Sequence, residues 1–89
     1  MPYIIQDRRK ELDYSIAILC KKMKSQGLTT AGDLNYVLTR ILASTCLSGL
    51  SYESINTTIG ILECMKQEIY RRVAVPLEEY KKRTNGDVF

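Results

Sequence analysis

The sequence predicts an all-α protein: a three-helix up-down-up bundle with a long, proline-interrupted third helix and an extended C-terminal tail. Three observations predict it. Apolar residues recur at three-and-four spacing on three segments. Capping residues and glycines punctuate the chain between them. The last segment is also too long for the other two to cover. Eighty-nine residues make one domain, 1–89, near the size at which a single core is only marginally sufficient, so subunit association is an expected source of stability.

The first helix is expected over 7–25, where Leu12, Ile16, Leu19, Cys20 and Met23 fall on one face and Gly27 ends the run. Asp7 sits in its first turn and Lys21, Lys22 and Lys24 in its last, as the helix dipole favours. The second helix opens at Thr30, whose hydroxyl caps while Asp33 reaches back in a variant of the capping box. Leu34, Val37, Leu38, Ile41 and Thr45 form its inner stripe, and Gly49 is expected to close it. Ser51 caps the third helix, with Glu53 in the first turn and Ile55, Ile59, Leu62, Ile69 and Val73 facing inward. Pro76 lacks a backbone donor and clashes with the preceding turn, which predicts a kink or break near Ala74 and a short charged helix over 77–83. Asn85 and Gly86 then turn the chain into the tail Asp87, Val88, Phe89.

Residues 52–83 would span about 48 Å as helix, against roughly 28 Å for each partner. The surplus turns need another surface, and a second copy of the chain is the expected one. Outward apolar residues agree: Tyr36, Ala43 and Leu47 flank Arg40, with Tyr14 and Ile18 on the first helix and Ile61 on the third. Gly60, costly in a helix interior, reads either as a close approach of another backbone or as a neutral surface glycine.

Composition excludes several functions. The chain has no histidine, which removes histidine acid-base pairs and nucleophilic triads and cripples zinc sites. Cys20, Cys46 and Cys64 are odd in number and widely spaced, so they read as reduced packing residues, and no metal or other cofactor is expected. No Walker-type or dinucleotide glycine loop is present. Glu63, Glu68, Glu78 and Glu79 lie among lysines and arginines at helical spacing, the pattern of salt-bridged surface, and catalysis is not expected. No apolar run approaches a membrane span and the first five residues lack the basic start of a signal peptide, which makes the cytoplasm the expected compartment. A net charge of +3, interleaved with acids, suits a small anion better than a wrapped nucleic-acid duplex.

The sharper signal is Lys66, in the middle of the apolar stripe between Leu62 and Ile69. An unpaired buried ammonium is expensive, so Lys66 either snorkels to a carboxylate such as Glu63 or aims its charge at an anion. In an up-down-up bundle it would lie level with the loop Gly27-Leu28-Thr29-Thr30-Ala31-Gly32, whose free N–H groups and helix N-terminus suit phosphate. Lys22, Lys24 and Arg71 would approach from the same end, with Tyr36 and Tyr70 available for stacking. Solvated helix ends carry such charges too, so a capped helix with a snorkelling lysine explains the same residues. Arg8 and Arg9, on the inward side of the first helix near its start, are a second anomaly and could reach across a subunit boundary. The candidate ligand-binding set is Thr29, Thr30, Asn35, Tyr36, Lys66, Tyr70 and Arg71, with Arg8 and Arg9.

The pieces Met1-Pro2-Tyr3-Ile4, Gly32-Asp33-Leu34-Asn35-Tyr36 with Thr39-Arg40, and Gly60-Ile61-Leu62-Glu63-Cys64 stand together with Tyr70-Arg71-Arg72-Val73-Ala74, Pro76 and Asn85-Gly86-Asp87-Val88. In these motifs, which cover nearly the whole chain, it resembles a family of short uncharacterised proteins of bacteriophages, prophages and bacteria. Family members usually have glutamate after the glycine and an aromatic after the proline, where this chain has Asp33 and Leu77. The resemblance implies origin and shape and carries no activity. Small phage proteins that form helical oligomers include sponges, which capture the nucleotide signals of bacterial immunity without degrading them, and that analogy sets the expected function. The expectation is a non-enzymatic homo-oligomer sequestering an anionic nucleotide. The alternatives are an interaction module that binds a host or phage protein through its outward apolar face and, third, a nucleic-acid accessory protein.

Overall fold

The computed structural model describes Pro2–Phe89; Met1, the first residue of the N-terminal motif, lies outside the described residues. All regular structure among them is helical, in the order α1 (Gln6–Ser25), α2 (Ala31–Ser44), α3 (Tyr52–Ile69), a π-helical turn (Tyr70–Ala74) and α4 (Val75–Asn85). The chain divides into two compact units, Pro2–Thr58 and Ile59–Phe89.

In the first unit the stop and start signals act as their chemistry dictates. Gly27 takes φ +67°, and Leu28 N–H returns to Met23 O at 2.8 Å while Gly27 N–H reaches Lys24 O, the paired bonds that close a helix through a left-handed glycine. Thr30 Oγ1 accepts from Asp33 N–H at 3.1 Å and Asp33 Oδ2 accepts from Thr30 N–H at 3.2 Å, so the predicted capping box is complete. Ser51 caps α3 in the same reciprocal way with Ser54: Ser54 N–H donates to Ser51 Oγ at 3.1 Å and Ser51 N–H to Ser54 Oγ at 2.9 Å.

One boundary differs. The second helix stops at Ser44 and not at Gly49: Thr45 N–H closes on Ile41 O at 3.1 Å and Leu47 N–H returns five residues to Leu42 O at 3.0 Å. Those bonds occupy the last carbonyls before the glycine is reached.

Within this unit Met23 is buried, 7% exposed, and Thr58 is the buried polar residue, its hydroxyl donating to Ser54 O at 2.8 Å. Of the expected inner stripes Val37 is half-buried, while Leu12, Ile16, Leu19, Leu34, Leu38 and Ile41 are all exposed, Ile16 by 54%. The predicted helices are present, while the stripes that were to meet in a bundle core remain accessible.

Near Ala74, where a kink or break was expected, the second unit carries α3 through a π turn into α4 with no break in the helical run. Ala74 (φ −68°, ψ −47°) and Val75 (φ −60°, ψ −50°) keep right-handed helical angles. The physical reason lies in the hydrogen bonds: Val75 N–H reaches five residues back to Tyr70 O, and the widened turn carries the chain past the missing donor of Pro76. The helix therefore runs further than 77–83 and ends at Asn85, where Gly86 takes φ +93° and its N–H bonds Lys82 O at 3.0 Å. Ile59, Ile69 and Val73 are exposed, as are Val88 and Phe89 in the tail. No Cβ placed at Gly60 would meet a neighbour within 4 Å, so nothing in the chain itself crowds that glycine.

Candidate functional site

Five of the nine candidate residues, Asn35, Tyr36, Lys66, Tyr70 and Arg71, fall on two short helical faces, one in each unit. On α2, Asn35 and Tyr36 line a shallow depression with Ala31, Gly32, Thr39 and Arg40. Successive turns stack these residues as two rungs, Ala31-Asn35-Thr39 and Gly32-Tyr36-Arg40, each at four-residue spacing. The rungs are bonded along their length: Thr39 Oγ1 donates to Asn35 Oδ1 at 3.3 Å, and Arg40 Nη1 donates to the Tyr36 hydroxyl at 2.8 Å. The Arg40 guanidinium carbon also lies 5.7 Å from the centre of the Tyr36 ring, within cation–π range. Thr30 stands below this face, its side chain committed to the cap, and Thr29 lies in the connecting loop.

In the second unit Lys66, Tyr70 and Arg71 do come together, lining a depression with Glu63, Gln67 and Val75. Lys66 is not buried: its side chain is 71% exposed and Nζ pairs with Glu63 Oε1 at 3.2 Å. Gln67 Nε2 donates to the same Glu63 oxygen at 3.2 Å. The Gln67 hydrogen bond first, then the hydrogen bond and charge of Lys66, hold the Glu63 carboxyl below the usual glutamate range. Arg71 is likewise paired, with Glu68 one turn back. Both cations of this face thus carry a carboxylate of their own.

Arg8 and Arg9 lie in the first turn of α1. Arg9 Nε donates to Ile4 O at 2.7 Å, so its guanidinium fastens the strand of chain that precedes the helix. The lysines at the other end, Lys21 and Lys24, flank a depression with Ala17, Cys20 and Ser25.

Thr39 and Arg40 were outside the candidate set, although the four-residue spacing from Asn35 and Tyr36 marks them as the next rung. Glu63 was named as a partner for Lys66, and Gln67 was findable at four-residue spacing from Glu63. Among the described residues no group of histidine, cysteine and carboxylate side chains is placed to hold a metal ion, and no helix is long and apolar enough to cross a membrane.

No curated protein and no solved structure matches the chain. Residues 1–88 match the family described as a domain of unknown function, DUF6899, and the chain belongs to that family.

Proposed function

We propose that the protein is a non-enzymatic, homo-oligomeric binding protein that sequesters an anionic nucleotide, an immune signal in the phage setting that the sequence resemblance implies. The observation that carries the proposal is the gathering of an aromatic ring with cations and amide or hydroxyl groups on short exposed helical faces, Tyr36 with Arg40 and Tyr70 with Lys66 and Arg71. Such faces can hold a ring and a phosphate together. The lack of histidine in the sequence leaves them without the usual proton carrier, which suits capture rather than turnover.

Assembly is the second half of the reading. Leu12, Ile16, Leu34, Ile41, Ile59 and Ile69 are between 45% and 61% exposed. Fully burying one such side chain stabilises by about 1.5 to 3 kcal/mol, so six that are half open forgo on the order of 5 to 9 kcal/mol. That is the size of a small domain's whole stability. Packing of helices from several copies, including the bundle the stripes are spaced for, recovers it. The same open faces also suit a different protein as partner, and mass measurement in solution separates the two.

The test is a thermal-shift screen against cyclic dinucleotides, cyclic trinucleotides, ADP-ribose derivatives and mononucleotides, with sedimentation of the free protein alongside. A ligand that binds only the folded state raises the melting temperature, by about 2.7 kcal/mol of stabilisation at a hundred times its Kd. The recovered nucleotide should be chemically intact by chromatography. A monomer of about 10 kDa, or a melt that no nucleotide moves, would overturn the reading.

A further inference from the structure

The outer face of α2 gathers a cation with hydroxyl and amide groups and no carboxylate. Arg40 offers the five N–H groups of a guanidinium, of which one is used, by the Tyr36 hydroxyl at 2.8 Å. That hydroxyl accepts from Arg40, which leaves its own O–H to donate outward. Asn35 accepts through Oδ1 from Thr39, a bond that leaves the two N–H groups of its amide to donate. The nearest carboxylate along the helix, Asp33, is half-buried and committed to the N–H of Thr30. No ion pair among the described residues involves Arg40, whereas Lys66 and Arg71 are each neutralised by a glutamate.

Order adds to charge. Seated over the ring of Tyr36 and bonded to its hydroxyl, the guanidinium has already lost much of the rotamer freedom that a free surface arginine gives up on binding. Its remaining N–H fork matches the oxygens of a phosphate in a bidentate contact. Space is also present. Gly32, one turn before Tyr36, has no left-handed φ, and a Cβ there would meet nothing nearer than Thr30 Oγ1 at 3.8 Å. A glycine that neither the backbone nor the packing requires leaves the floor of this face open to a ligand group.

We propose that Arg40, held by Tyr36 and flanked by Asn35, forms a phosphate subsite on the outer face of α2, and is the cation through which the protein contacts a nucleotide's phosphate. The inference rests on the nucleotide-binding reading and moves its weight from Lys66 to a residue of the other unit.

The experiment titrates wild type and variants calorimetrically with whichever of ADP, ADP-ribose, cyclic di-AMP or cyclic tri-AMP raises the melting temperature most, with adenosine as the uncharged control. Arg40→Gln is expected to weaken the phosphorylated probe tenfold or more and to leave helicity and sedimentation unchanged. Arg40→Lys, which keeps the charge and loses the planar fork, should fall between. Lys82→Ala, a cation of α4 that pairs with Glu79 and belongs to neither candidate face, should stay within threefold of wild type. A probe that binds Arg40→Gln as tightly as wild type overturns the subsite and leaves the nucleotide reading standing; adenosine binding as tightly as its phosphorylated counterpart overturns the subsite and the anionic-ligand reading together. Dissociation of the assembly by Arg40→Gln would make this face an interface between copies and also overturn the subsite. Failure of wild type to bind any of the four overturns both.

Discussion

Replacing Ile16 by alanine separates a chain that is stable alone from one that is completed by other copies. The substitution removes three carbons from a side chain that is 54% exposed in the single chain. At about 0.8 kcal/mol per buried methylene, with roughly half of each buried, the loss is about 1 kcal/mol. A few tenths return because alanine is the better helix former. If another copy covers Ile16, the same change leaves a cavity in a closed interface and costs about 2 to 5 kcal/mol. Denaturant unfolding followed by circular dichroism, repeated across a roughly hundredfold range of protein concentration, reads the difference. The expected result is the larger cost, with a midpoint that moves with concentration for both wild type and variant. Met23→Ala is the internal control: at 7% exposure it loses packing inside its own chain and costs about 2 to 5 kcal/mol in either case. A loss of about 1 kcal/mol or less for Ile16→Ala, constant across concentrations, would refute the inference that the stripe is covered.

Two other outcomes follow from local bonds. Thr30→Ala removes the acceptor of Asp33 N–H and should lower stability by about 1 kcal/mol, measured as a shift in unfolding midpoint with an unchanged slope. Glu63 has a folded-state pKa below its ordinary value, so its charged form stabilises above the ordinary glutamate pKa and that contribution is lost as pH falls through the lowered one. Glu63→Gln should flatten this acid limb in a pH series of melts, while Lys66→Met should leave part of it because the Gln67 bond, the larger cause, persists.

What the sequence made legible is the chemistry of short range. Gly27, Thr30 with Asp33, and Ser51 act within four residues of themselves, and each works as its side chain dictates. The end of α2 was missed because Gly49 looked like the stop, whereas the closing bond runs from Leu47 to Leu42, two residues with no stop signature. Pro76 was read by its usual effect, and the remedy, a bond from Val75 to Tyr70, involves residues with no special signature. Burial was the least legible property, since periodicity shows which side of a helix is apolar and says nothing of where the covering surface comes from. The site divides in the same manner. Asn35 and Tyr36 have their face completed by the next rung, while Lys66, singled out for its place in an apolar stripe, is long enough to leave it for Glu63.

The π turn changes how the end of the chain should be compared among relatives. A five-residue return lodges one extra residue in a turn, and a residue is worth about 100° of helical rotation. Drawn on an uninterrupted α-helical wheel, Leu77 and Tyr80 would continue the line of Ile59 and Leu62; after Tyr70–Ala74 they are turned well away from it. Leu77 and Tyr80 thus look in a different direction from the apolar line before them. A relative lacking one residue between 70 and 74 would keep its helix and its composition yet point this final stretch elsewhere, so a one-position gap there is a change of geometry in an otherwise unremarkable alignment.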